Sequence, residues 1–151
     1  MNNKWHNIWT AKIVKYRKHP NADHLRIVKL DLGYKYQDNE FMNLNRKILD
    51  KPNGKVKIYS ITSATNFDRH DIVVLALPGA KIQKNIHSNT HESFTLHRET
   101  FRGIESRGML CAPFELGLSD SPNKVLLILP SNTPVGIQFT PDLIKTASAS
   151  A

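Results

Sequence analysis

His87, His91 and His97 stand close together with Glu92 among them, a donor set that zinc or another transition metal accepts. Their separations of four and six residues suit one helix face only for the first pair, and Ser88-Asn89-Thr90 between that pair is poor helix material. Polar loop histidines are expected there, not a metal site or a metal-dependent hydrolase. Cys111 is the only cysteine, so an intramolecular disulfide and a cysteine-based zinc site are both excluded. Its neighbours Leu110 and Ala112 make an apolar setting, which raises a thiol pKa and keeps the sulfur inert. The chain has no glycine-rich phosphate loop ending in Gly-Lys-Ser/Thr, no Gly-x-Ser-x-Gly elbow and no His-Glu-x-x-His pair. Neither a catalytic residue nor a cofactor is expected.

Binding chemistry is better represented. The string Arg102-Gly103-Ile104-Glu105-Ser106-Arg107-Gly108-Met109-Leu110-Cys111 gathers two glycines, two arginines, a carboxylate, a hydroxyl and a thioether. Glycines permit close backbone approach, Ser106 offers a rotatable hydroxyl, and Met109 an adaptable apolar contact. Such a stretch can line a nucleotide groove, although a kinked barrel strand also uses such glycines. Two further strings form structured turns: His19-Pro20-Asn21-Ala22-Asp23 and Ala76-Leu77-Pro78-Gly79-Ala80.

Charge points to a polyanion. Of 151 residues, 21 are Lys or Arg and 13 are Asp or Glu, a net charge of +8. Residues 1–59 hold 13 of the basic and 5 of the acidic side chains, whereas the remainder is balanced. One basic half is the footprint of phosphate neutralisation, with a solubilising surface as the plainer reading. Trp5, Trp9, Tyr16, Tyr34, Tyr36, Phe41 and Tyr59 lie in the same half. Aromatic faces near cations can stack bases, though several of these rings must be core. From strand parity and charge, Lys12, Lys15, Arg26, Lys29, Lys55 and Lys57 are the expected phosphate contacts.

The elements that must position these groups are short, β-branched and bounded by turn residues. Strands are expected at residues 9–16, 26–33, 55–62, 72–77, 93–101 and 125–129. The run at 72–77 is apolar throughout and ends at Pro78-Gly79, as a strand covered on both faces should. Residues 113–118 fit one helical turn, Pro113 at its start and Gly117 near its stop. Residues 34–53 and 85–91 read as polar surface insertions. No apolar stretch approaches the roughly 20 residues of a membrane span, and the first nine residues lack a signal-peptide core. The expectation is an all-β, cytoplasmic domain over residues 1–141 with a C-terminal tail at 142–151. A five-stranded OB-fold Greek-key barrel with one or two short helices fits; periodicity alone does not separate it from an SH3-like barrel.

Taken together, these strings resemble the tRNA-binding domain family with the OB fold. The resemblance runs from residue 19 to 33, through Ser63-Ala64-Thr65-Asn66 and residues 76–80, then 102–111. It continues at Phe114-Glu115-Leu116-Gly117-Leu118-Ser119-Asp120 and ends at Leu129-Pro130 with Pro134-Val135-Gly136. Within the family it is most similar to the N-terminal region of bacterial phenylalanyl-tRNA synthetase β chains. The resemblance implies a non-catalytic module that binds tRNA by shape and supports aminoacylation. It also implies tRNA contacts at Ser106 and Met109, from the family's Ser-x-x-Met string, and at Asn66; Arg102 joins them by charge. Implied partners are tRNA and synthetase subunits or a second copy. The competing expectation is an assembly module or free-standing chaperone of the same fold.

Overall fold

The computed structural model describes residues 4–34, 45, 55–97, 99–101 and 103–144. Its architecture is nearly all-β and antiparallel, as expected. Strands β1 (Ile8–His19), β2 (Ala22–Tyr34) and β3 (Lys55–Thr62) form a meander, and β4 (Ile72–Ala76) pairs with the other edge of β1. Then come β5 (Lys81–Ile82), β6 (Phe94–Thr95), β7 (Glu99–Phe101), β8 (Ile104–Ser106), β9 (Met109–Leu110) and β10 (Ile128–Leu129). The main sheet runs β10-β4-β1-β2-β3, with β9 also on β4, while β5–β6 and β7–β8 are separate two-stranded pairs.

The first hairpin is longer than the pattern of apolar residues suggests. Pairing continues to His19↔Ala22, leaving Pro20 and Asn21 as the connection, and the amide of Asn21 donates to His19 Nδ1 at 3.0 Å. Lys15, Arg17 and Lys18 are all exposed, so no burial alternation marks this end of the hairpin in the sequence. The expected strand at 93–101 is instead two: β6 pairs with β5, and β7 pairs with β8.

β4 separates two apolar clusters. Val73 and Leu75 face Trp9, Ala11, Ile13, Val28, Leu30 and Ile58, whereas Ile72, Val74 and Ala76 face Ile8, Ile82, Leu116, Leu129 and Phe139. All five β4 residues are buried, which is why that segment reads as apolar without alternation. Leu143 and Ile144, in the short helical turn at 142–144, also pack against the second cluster.

The expected closed barrel is not formed by strand pairing. Among the described residues the ladder stays open between β3 and β9. Residues 106–108 cross that opening. Ser60 Oγ donates to the Gly108 carbonyl at 2.7 Å and Ser106 Oγ donates to the same oxygen at 2.8 Å. The Ile61 amide donates to Ser106 Oγ at 3.0 Å, and the Arg107 amide to the Tyr59 carbonyl at 3.1 Å. Gly108 sits so close to β4 that a Cβ would lie 2.8 Å from both the Ala76 carbonyl oxygen and Leu75 Cδ1.

Backbone oxygen cannot yield as a side chain can, so Gly108→Ala should lower unfolding stability by about 1–3 kcal/mol. Urea titration followed by circular dichroism reads this directly; an unchanged midpoint would mean the crossing is looser than its geometry.

Candidate nucleic-acid interface

Face assignment in the meander follows from register. Directly opposed residues of an antiparallel pair share a face. The rows are Lys12↔Asp31↔Lys57, then Lys15↔Lys29↔Tyr59, then Arg17↔Ile27↔Ile61. Strict alternation would place Lys12 and Lys15 on opposite faces. The register shift between Ile13 and Lys15 takes Val14 out of the alternation and returns Lys15 to the face of Lys12. One face therefore carries Lys12, Lys15, Arg17, Lys29 and Lys57 around a single carboxylate, Asp31. Tyr59 is 42% exposed in this face, with Lys29 Nζ 5.9 Å from its ring centre.

The other expected contacts go elsewhere. Arg26 shares the parity of Val28 and Leu30, and its guanidinium lies 5.3 Å from the Tyr16 ring and 5.5 Å from Phe67. The side chain of Lys55 and all of Arg102 lie outside the described residues. Asn66 spends both ends of its amide on one residue: Nδ2 donates to the Leu126 carbonyl at 3.0 Å, and Oδ1 accepts from the Leu126 amide at 2.8 Å. Ser106 is buried with its hydroxyl engaged in the crossing described above. Met109 is half-buried and looks into a groove.

That groove, about 680 Å³, is lined in part by the 106–110 stretch, but its other walls come from segments the sequence reading did not connect with it. Met109, Phe94, Ile61 and Leu126 supply apolar walls, while exposed His24, His87, His97 and Lys124 lie around it. His91 instead packs edge-on against Phe114, ring centres 4.9 Å apart. No three His, Cys, Asp or Glu side chains converge on a metal-sized point among the described residues. Glu92 is held by the hydroxyls of Ser88 and Thr90, bonds that lower its pKa.

Glu115 is the buried acid of the groove. It sits in the expected turn at 113–118, where the Ala112 amide donates to Glu115 Oε1 at 2.9 Å, half of a capping box. Gly117 ends the turn at φ 75°, with Leu118 and Gly117 amides donating to the Pro113 and Phe114 carbonyls, a Schellman arrangement. Glu115 is only 7% exposed. Desolvation outweighs both the Ala112 bond and the attraction of Lys124, and pushes its carboxyl up to about 7. Burial also holds the Cys111 thiol well above its ordinary value, with Glu115 adding to the effect. A carboxylate three residues after Ala112, beside Pro113 and between Phe114 and Leu116, was the available sequence signal.

The nearly all-β, antiparallel, OB-like architecture with one cationic face is that of a binding module. Residues 8–138 match the family described as "Putative tRNA binding domain", and the chain belongs to that family. It is similar to the phenylalanine–tRNA ligase beta subunit of Dehalococcoides mccartyi strain 195, 35% identical over 134 residues, covering 89% of this chain and 14% of the relative. The beta subunit of Chlamydia pneumoniae is 33% identical over 132 residues, covering 86% and 14%, and that of Clostridium tetani 31% over 130 residues, covering 86% and 13%. The chain thus spans about one-seventh of the curated relatives it matches.

The folded state keeps the Glu115 proton up to about pH 7, while an ordinary glutamate releases it near 4.5. This group therefore favours folding below pH 4.5, and that contribution is lost as pH rises through 7. Glu115→Gln keeps an acceptor for Ala112 and removes the titration. Relative to wild type it should gain about 1–3 kcal/mol between pH 5 and pH 8, measured by urea unfolding at both. Parallel stability curves would show that the carboxyl is solvated after all.

Proposed function

We propose that the chain is a non-catalytic tRNA-binding module that supports aminoacylation, acting in the cytoplasm beside or within a phenylalanine–tRNA ligase. The carrying observation is the row structure of the meander: five cations and an exposed tyrosine on one face, with one opposing carboxylate. Lys and Arg at this spacing neutralise phosphates without reading bases, and Tyr59 adds a stacking surface. Recognition by backbone and shape suits a folded RNA, whose paired regions hide their base edges. Family membership and the ligase beta-subunit relatives support the same reading. Lys12, Lys15, Lys29 and Lys57 are the phosphate contacts in this account, and Met109 meets the RNA at the groove. Arg26, Asn66 and Ser106 act mainly by holding the aromatic pair, the Leu126 segment and the sheet crossing in place.

A second reading, docking onto other synthetase subunits or a second copy, draws on Ile128 in the short outer strand β10 and Val125 just before it, which are 36% and 45% exposed. Sedimentation with and without tRNA separates the two; an oligomer indifferent to tRNA would favour docking.

Fluorescence anisotropy of labelled tRNA across a salt series tests the first reading. Affinity should fall steeply with salt, and Lys15→Ala and Lys29→Ala should each flatten the logarithmic salt slope by about 1. Lys81→Ala, an exposed cation on β5 away from the face, serves as control. Affinity that ignores salt, or equal losses from all three variants, would sink the assignment.

A further inference from the structure

The groove beside Met109 has the chemistry of a nucleotide pocket, and the cationic face does not account for it. Its volume of about 680 Å³ falls within the roughly 300–1,000 Å³ of small-ligand clefts. Apolar walls and a convergent polar group are what a flat heterocycle needs. The polar group is Glu115, fixed on its turn through Oε1 by the Ala112 amide. Its second oxygen, Oε2, has no partner among the described residues. No side-chain oxygen or nitrogen there is both buried and unpaired, so Oε2 keeps an opening to the groove that Glu115 lines. Around the rim stand Lys124, whose charge attracts a phosphate, and His24, His87 and His97, whose ring N–H groups can donate to one.

We propose that this groove receives one unstacked nucleotide, its base edge bonded by Glu115 and its phosphate held among the rim histidines and Lys124. The proposal rests on the RNA-binding reading for one donor, an unpaired stretch of the RNA; a free nucleotide carries the same chemistry. A carboxyl that titrates near neutrality can accept two N–H groups when ionised, or donate one hydrogen and accept another when protonated. Guanine fits the first arrangement; adenine and cytosine, each with an amine beside a ring nitrogen, fit the second. Uracil, whose ring N–H stands beside a carbonyl oxygen, also fits the second, so guanine alone among the four offers two adjacent N–H groups to the ionised carboxylate.

The test uses the full chain, ¹⁵N-labelled, titrated with millimolar AMP, CMP, GMP, UMP and ribose 5-phosphate, with tRNA anisotropy measured in parallel. Base-dependent shifts at groove residues are expected, strongest for GMP at pH 8, where the carboxyl is ionised. Glu115→Gln should change the affinity for the preferred base by about 5- to 100-fold. Because that variant could also disturb the turn, the wild-type ranking of bases stands as an independent readout. Competition of the preferred mononucleotide against labelled tRNA identifies the RNA as donor; nucleotide binding without competition identifies a free nucleotide. Identical shifts from ribose 5-phosphate and all four nucleotides would overturn base recognition. No nucleotide shifts while tRNA still binds would overturn the pocket and leave the function intact; loss of both would overturn the two together.

Discussion

The Gly108 carbonyl is the point on which the architecture turns. It accepts two serine hydroxyls, one from β3 and one from the end of β8, while its own Cα lies against the β4 backbone. Strand pairing alone would leave the β3 edge with unsatisfied donors and acceptors. The Ser106 hydroxyl supplies the acceptor for the Ile61 amide, and the Arg107 amide reaches Tyr59. The open side of the sheet is thereby bound without a regular ladder, and the chain passes from β3 directly onto β4 at Met109. Both the groove, walled by Ile61 and Met109, and the exposed tyrosine at position 59 are placed by this one junction. A hydroxyl doubly engaged there has little left to offer a ligand, which is why Ser106 is better understood as a positioning residue.

A second constraint, the irregularity at Val14, decides which cations act together. Before it, β1 sends Trp9, Ala11 and Ile13 into the core; after it, Tyr16 takes the inward parity and packs on Phe67. Without the shift, Lys15 and Arg17 would point where Tyr16 now does, and the outer face would lose two of its five cations. Desolvating them against the core would be costly as well. The same shift leaves Arg26 over two aromatic rings, in a cation–π position of modest worth, about 0.5–2 kcal/mol.

Much of this was legible in the residues. β4 declared itself by an unbroken apolar run, the hairpin by Pro20-Asn21, and the helical turn by Pro113 and Gly117. The family strings pointed to the fold and to the groove's Met109. What escaped is what depends on distant partners. Strands β5, β8 and β9 are two or three residues long, too short to show a period. Parity counted along β1 fails at a bulge that no residue type marks. Asn66 could not be told from a ligand contact until Leu126, sixty residues away, was found against both ends of its amide. Glu115 stood in a family-like string with no sign of its burial, because burial is a property of the fold rather than of the string.

The two candidate surfaces are adjoining parts of one path along β3. Lys57, Tyr59 and Ile61 share a face, and at about 3.3 Å per residue they span roughly 13 Å. Lys57 belongs to the first cationic row, Tyr59 to the second, and Ile61 to the groove wall. In the proposed reading, a strand of RNA following the cations meets the exposed ring and then the opening that Glu115 lines. There charge would hold the backbone over the first part of the path, fixing position alone. At its end, apolar walls and one carboxyl oxygen lie inside a rim that still carries Lys124, and contact within it would be open only to a base that has left its stack. The change from cations on β3 to a buried acid on the 113–118 turn is what would make the proposed path directional. A uniformly basic surface would bind the same polymer in many registers, whereas a cationic run ending at a carboxyl favours one.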